Sequence, residues 1–331
     1  KPGSRTEAGY APTSPGQAQK ENDMTRNPSI IPRAKLRTAL SLLLVTGSLL
    51  PYVPAFAEVS VKDDIGNMVK LAQPAKRIVS LAPHMTETLF AAGAGGQIVG
   101  TVDYSDYPEA AKKIPRVGGY SRFDMEAVAA LKPDLIVGWQ SGNAAAHLDK
   151  FRSLGYTMYI SQPNRIDDVA SEIERLGTLA GTGATANAEA KRYRAKLATL
   201  RAQYAGKATV RTFYQIWKQP LMTVGRNQII SDAIRLCGGD NVFGKLEQMA
   251  PTVTVEAVIA ANPETIIASG MGDSRPEWLD DWKKWTSIEA VKRDNLFFVP
   301  PELIQRHTPR LLEGTEILCR HLEVVRGRQG K

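Results

Sequence analysis

Four aromatic side chains, Tyr104, Tyr120, Trp139 and Trp217, fall at loop positions that follow predicted strands. Flat, rigid rings give large contact area at low entropic cost, so such a set suits a bulky planar or macrocyclic ligand whose orientation a few polar groups then fix. A single ring, Trp139 for instance, reads equally well as core packing; the loop-borne set favours a binding cleft. Two carboxylates, Glu126 and Glu256, stand at matching positions of an internal repeat, and neither has a nucleophile or metal-like cluster beside it in sequence, which speaks against acid–base catalysis. The four histidines, His84, His147, His307 and His321, are scattered singly. A zinc or manganese site needs histidines and carboxylates from both halves of the chain. His84 and His147 could approach a cleft from the first half but only His307 from the second, so no metal site is expected. The run Ala92 to Gly96 follows a helix instead of joining strand to helix, which removes the geometry of a phosphate-cradling loop. No nucleophile elbow, zinc-protease motif or P-loop is present, and neither an enzyme nor a cofactor is expected.

These residues must be held by regular elements. Segments 77–82, 97–102, 135–139 and 157–160 read as strands, separated by helical patterns near Glu87, Ala127, Leu148 and Ile173. Strands beginning near Val210, Thr265 and Leu296 alternate with helices near Ile229, Ala257, Trp282 and Leu312. The fold class is therefore α/β in both halves. Trp278, Trp282 and Trp285 have helical spacing and read as packing residues. Between the halves, Ala190, Tyr193, Leu197, Leu200 and Tyr204 recur at spacings of three and four, which predicts one amphipathic helix over 184–205, about 30 Å long. The expected domains are a lobe at 58–183, this connecting helix, and a lobe at 206–331.

The repeat strengthens that division. Met125 to Val137 matches Val255 to Ile267 at a constant offset, and Glu87, Leu89, Ala92 and Gly93 match Asp232, Ile234, Cys237 and Gly238 more weakly. Each longer copy reads as a short helix, a proline-containing turn and a strand, so the halves share a supersecondary plan. Common α/β grammar is the alternative, and the shared order of the two matches argues against it.

The first 57 residues differ in kind. After Met24 come Arg26, Arg33, Lys35 and Arg37, an apolar run from Ala39 to Leu50, and the small-x-small sequence Ala55-Phe56-Ala57. These are the parts of a signal peptide cleaved after Ala57. The apolar run ends at Pro51, short of the roughly 20 residues a membrane span needs, and no cysteine follows for lipid attachment. Residues 1–23 precede Met24 as a leader extension not expected in the mature protein. The sequence carries 42 Lys/Arg and 34 Asp/Glu, a net charge of +8; seven of the former and three of the latter lie in the leader, leaving about +4. No basic run interleaved with aromatics remains for a nucleic acid. Export makes Cys237 and Cys319 a disulfide candidate closing a loop of roughly 80 residues, worth about 4 kcal/mol in the chain-entropy model, with two separate buried thiols as the alternative.

Arg77 to Pro83 with Thr86-Glu87, Tyr104 to Pro108, Leu131 to Ile136, Trp139 with Gly142-Asn143-Ala144, Cys237 to Phe243 and Pro309-Arg310 span almost the whole mature region. In that order and spacing they resemble the periplasmic binding proteins that serve importers of cobalamin, haem and ferric siderophores, the cobalamin-binding type above all. The resemblance implies two α/β lobes joined by one long helix, a ligand cleft between them and small opening motions. It implies a monomer that delivers cobalamin or a related corrinoid, or alternatively haem or a ferric siderophore, to an ABC permease dimer. A metal-ion carrier or periplasmic metalloenzyme is a more distant reading. By the same resemblance Tyr104, Tyr120, Trp139, Trp217 and Arg306 contact the ligand, and Glu126 and Glu256 dock on basic residues of the twofold permease. Their plain alternatives are an exposed arginine near a helix start and two early-turn acids favoured by the helix dipole. The stretch Gln248 to Pro251 departs from the aromatic rim of cobalamin binders, and Glu302 aligns only loosely with their acidic residue upstream of Arg306.

Overall fold

The computed structural model describes residues 58–270, 272 and 274–329. The predicted leader extension, signal peptide and cleavage site after Ala57 lie outside the described residues. The described residues open with an antiparallel hairpin, β1 (Val59–Lys62) and β2 (Met68–Leu71), ahead of the first strand expected from the sequence at 77–82. The Asp63 carboxylate closes its turn by accepting from the amides of Ile65 and Asn67 at 3.2 and 2.7 Å.

Next come β3 (Ile78–Ser80), α1 (Pro83–Ala91), β4 (Ile98–Gly100), α2 (Met125–Ala130), β5 (Leu135–Trp139), α3 (Ala145–Ser153), β6 (Met158–Ser161) and α4 (Ile166–Ala180). The strands form a parallel sheet in the order β4-β3-β5-β6. After α5 (Gly183–Tyr204) follow β7 (Val210–Gln215), α6 (Ile229–Leu236), β8 (Gly239–Asn241), α7 (Val255–Ala261), β9 (Thr265–Ala268), α8 (Glu289–Lys292), β10 (Leu296–Phe298), α9 (Pro301–Ile304) and α10 (Leu311–Gln329). Their sheet, also parallel, has the order β8-β7-β9-β10. The two orders are one topology used twice, and β3, β6 and β9 are buried along their whole length, as helix-covered parallel strands must be. The helix expected near Trp282 is a 3₁₀ segment, Glu277–Lys284. Trp282 itself is core, donating from Nε1 to Gln215 Oε1 at 2.7 Å. The strand β8 escaped the sequence reading because Gly239-Asp240-Asn241 has none of the β-branched or aromatic residues that mark strands.

The repeat is visible atom by atom. In α2 the Asp124 carboxylate accepts from the amides of Glu126 and Ala127 at 2.9 and 3.0 Å; in α7 the Thr254 hydroxyl accepts from Ala257 at 3.2 Å. Both helices end at a left-handed residue, Lys132 (φ 46°) and Asn262 (φ 41°), ahead of a proline that cannot extend them. Arg77 and Arg211 then reach back to the exposed carbonyls, Arg77 to Leu131 at 2.6 Å and Arg211 to Ala261 at 2.9 Å.

The predicted connecting helix is α5, and Ala186, Ala190, Tyr193, Leu197, Leu200 and Tyr204 form its buried face. It packs along α4, where the Tyr193 hydroxyl donates to the Ile166 carbonyl at 3.0 Å. Cys237, at the end of α6, and Cys319, on α10, are disulfide-bonded and fully buried. Among the described residues no helix is long and apolar enough to cross a membrane.

A buried ion pair helps tie the α/β units together. Glu87 of α1, 3% exposed, accepts two parallel bonds of 2.7 Å from Arg310, which precedes α10, and the Arg310 guanidinium lies 3.8 Å from the centre of the Tyr107 ring. Removing one partner would strand a desolvated charge. Replacing Arg310 by alanine is therefore expected to lower the unfolding free energy by about 3–5 kcal/mol in urea titrations, with much of the loss restored when Glu87 is also replaced by leucine. An Arg310→Ala protein as stable as the wild type would contradict this role.

A second acid is buried without a cation of its own. Both carboxylate oxygens of Glu172 on α4 are buried with no hydrogen-bond partner, and burial, reinforced by the nearby Asp64 charge, pushes this carboxyl up to about 8. Because the folded value exceeds the unfolded one, its contribution to stability is full below about pH 4.5 and is lost as pH rises through about 8. Between pH 5 and 8.5 the Glu172→Gln protein should thus gain stability over wild type by on the order of 1 kcal/mol or more, read as diverging urea midpoints. Parallel midpoints would refute the assignment.

Candidate functional site

The end of β5 carries Trp139, and its surroundings explain why the ring is fixed. The Asn143 side chain, 6% exposed, accepts from the Trp139 amide at 2.6 Å and donates to the carbonyls of Leu81 at 2.9 Å and Tyr120 at 2.6 Å. One amide thus joins the segment after β3, the loop bearing Tyr120 and the end of β5. Gly142 completes the seat: a Cβ there would stand 1.8 Å from the indole ring, so only glycine lets the ring lie against this backbone. The Tyr120 and Trp139 rings sit 5.9 Å apart at 47°, with Tyr120 exposed.

Two histidines lie beside this platform. His84, on the first turn of α1, meets the Trp139 ring edge-on at 5.0 Å; His307, from the other sheet's side of the chain, lies 6.2 Å from Trp139 and 5.2 Å from His84. Burial, with the neighbouring His307 and the Arg306 charge, holds His84 well below the ordinary histidine range, and burial alone lowers His307 to about 4. Both are neutral at neutral pH. His84 Nε2, His307 Nδ1 and Trp139 Nε1 are buried without hydrogen-bond partners.

Arg306, next to His307, donates to Asp106 Oδ1 at 2.6 Å and to the Tyr104 carbonyl at 3.2 Å. Burial works to raise the Asp106 carboxyl, but the hydrogen bond and charge of Arg306 outweigh it and hold the group below its ordinary range. Tyr104 has φ 63°, a left-handed conformation uncommon for a non-glycine residue, and its ring is 69% exposed. A strained backbone carrying an exposed ring fits a contact position better than a packing one.

Of the five residues predicted to contact ligand, Tyr120 and Trp139 pack on one another, while Arg306 bonds the Tyr104 carbonyl and adjoins His307, whose ring lies 6.2 Å from Trp139. Trp217 follows β7 and is also exposed, but its contacts are within its own lobe, with Nε1 donating to the Gln219 carbonyl at 3.0 Å. Sequence reasoning quoted Gly142-Asn143 without a role, because the amide's partners lie 62 and 23 residues away. A cavity of about 510 Å³ beside the Glu87–Arg310 pair, lined also by Phe90, Tyr107, Arg192 and Lys196, includes none of the aromatic set and is a separate feature. Glu126 and Glu256 are both exposed in the first turns of α2 and α7, equivalent places in the two copies of the repeat. Among the described residues no group of three or more His, Cys, Asp or Glu could hold a metal ion.

Comparison with known proteins agrees with this architecture. The chain is 36% identical over 253 residues to the vitamin B12-binding protein of Vibrio cholerae, covering 76% of this chain and 91% of that protein. It is 34% identical over 254 residues to the vitamin B12-binding protein of Yersinia pestis, covering 77% and 89%. The crystal structure of the periplasmic vitamin B12 binding protein BtuF of Vibrio cholerae superposes with a TM-score of 0.71 at 35% identity, over 76% of this chain and 98% of that one. The periplasmic haem-binding protein RhuT from Roseiflexus, at 22% identity and a TM-score of 0.67, shares the fold. A family profile described as periplasmic binding protein matches residues 78–303. With two parallel sheets of one strand order, a family profile over most of its length and relatives 34–36% identical, the chain belongs to the periplasmic binding protein family.

Proposed function

We propose that this chain is the exported substrate-binding component of an ABC importer and that it captures cobalamin or a related corrinoid. The observation that carries the reading is the platform itself: Trp139 and Tyr120 packed on one another and held by Asn143, in a chain 36% identical to a vitamin B12-binding protein. The rings offer a flat apolar surface to the macrocycle, and Arg306, held by Asp106, offers guanidinium donors to its polar rim. Trp217, exposed after β7, would meet the ligand from the second lobe. The signal peptide, cut after Ala57, would take the chain to the periplasm, where the Cys237–Cys319 disulfide is at home.

Calorimetric titration of the purified mature chain with cyanocobalamin should give a one-to-one isotherm with micromolar or tighter affinity, and Trp139→Ala should weaken it at least tenfold. No heat with cyanocobalamin, together with binding of haemin or a ferric siderophore, would move the assignment to those ligands.

Delivery requires a docking face. Glu126 and Glu256, exposed at symmetric positions, present two negative points that complement basic residues on a twofold permease. Reversing both to lysine should leave cyanocobalamin affinity unchanged and abolish uptake into vesicles carrying the cognate permease. Undiminished uptake would remove these residues from the interface.

A further inference from the structure

A second hollow, of about 560 Å³, lies where α4, α5 and α6 meet, lined by Arg165, Asp167, Arg201, Asp232, Arg235 and Leu236. It shares no residue with the aromatic platform or with the cavity beside Glu87 and Arg310. Its three guanidiniums come from three elements: Arg165 immediately precedes α4, Arg201 is on α5 and Arg235 is on α6. Both acids have their partners already. Asp167 accepts from Arg201 on each oxygen, Oδ1 from Nη1 at 2.9 Å and Oδ2 from Nη2. Asp232 accepts from Arg235 Nη1 at 2.6 Å on Oδ1 and from the Ile166 amide at 3.0 Å on Oδ2. The donors are not matched in the same way. Arg235 uses Nη1 alone, and the Arg165 guanidinium makes no hydrogen bond or ion pair among the described residues. Arg165 nevertheless stands near the others: the Arg201 hydrogen bond leads in holding the Asp167 carboxyl below its ordinary range, and the Arg165 charge adds to it.

We propose that this hollow binds a soluble phosphate monoester, its phosphoryl group accepting from Arg165 and Arg235 and its organic part lying over the half-buried Leu236. Three arginines against two aspartates leave the lining with one positive charge, and a cation would find no carboxylate oxygen without a partner. A phosphoryl group carries nearly two negative charges at neutral pH and three acceptor oxygens, which suits guanidinium groups arriving from separate elements better than a flat, singly charged carboxylate does. The volume has room for more than a bare ion. A monoester held there would bridge α4 and α6 beside the contact from the Ile166 amide to Asp232, so its binding favours the relation of the two units that this contact belongs to. The site needs no corrinoid. Its failure would leave the corrinoid reading standing, and the converse holds equally.

The test titrates the mature protein calorimetrically at low ionic strength with glycerol 3-phosphate, with glycerol and inorganic phosphate as comparisons. Glycerol 3-phosphate should bind at one equivalent and more tightly than inorganic phosphate, glycerol should give no heat, and affinity should fall as NaCl is raised to about 0.15 M, where the screening length is about 8 Å. Arg165→Ala and Arg235→Ala should each weaken binding roughly fivefold or more, the loss of a charge-assisted bond at an exposed site. Arg152→Ala removes the same charge from the ion pair with Asp149 on α3 and should bind as the wild type does. A readout without any variant is the thermal midpoint of the wild type, which glycerol 3-phosphate should raise further than NaCl of equal ionic strength. Undiminished affinity in the Arg165→Ala/Arg235→Ala double variant, or equal midpoint shifts from the two salts, would overturn the proposal. Inorganic phosphate binding as tightly as the ester would overturn the place given to the organic part.

Discussion

Everything at the platform depends on two α/β units keeping a fixed relation, and the buried Glu87–Arg310 pair is the interaction that sets it. Its two bonds of 2.7 Å are parallel and planar, so they constrain orientation as well as distance. A buried pair of this kind contributes little net stability beyond an apolar contact of the same shape, but breaking it is costly. Its value lies in geometry. Asp106 and Tyr104 meet Arg306 only while this relation holds, and His84 meets His307 under the same condition. Other contacts, from the Ile166 amide to Asp232 at 3.0 Å and from Gln162 Nε2 to Met249 Sδ at 3.6 Å, extend the junction.

Within that frame the platform is built by one side chain and one missing side chain. Asn143 gives both amide hydrogens and its carbonyl oxygen to backbone, drawing together three segments that sheet pairing alone does not join at that point. Gly142 removes the Cβ that would push the indole away. The rings of Trp139 and Tyr120 are therefore held in place before any ligand arrives, which reduces the entropy lost on binding. Placing such groups on strand ends and short loops over buried sheets makes the platform rigid, while Glu126 and Glu256 stand exposed in the first turns of α2 and α7.

Much of this was legible in the sequence because it rests on local periodicity. The helix predicted at 184–205 is α5, offset by one residue at each end, since a three-and-four apolar spacing over two dozen residues admits few other structures. The repeat from Met125 and from Val255 was read from type and spacing, and the sheets repeat each other's strand order. The paired cysteines followed from compartment and count. What stayed hidden was long-range. The hairpin at Val59–Leu71 is held by an aspartate turn and by packing on α4, and its short strands lack an apolar run. The adjacency of His84 and His307 spans more than two hundred residues, and the burial of Glu172 depends on contacts that no window of sequence contains.

The central claim is that the two units hold one relation whether or not ligand is present. Spin labels attached at Ala129→Cys on α2 and Ala260→Cys on α7, both exposed positions, would report the distance between the units by pulsed electron resonance. A single narrow distribution, unchanged by cyanocobalamin and broadened by Arg310→Ala, is the predicted result. A broad distribution in the wild-type protein that shortens when cyanocobalamin is added would contradict it.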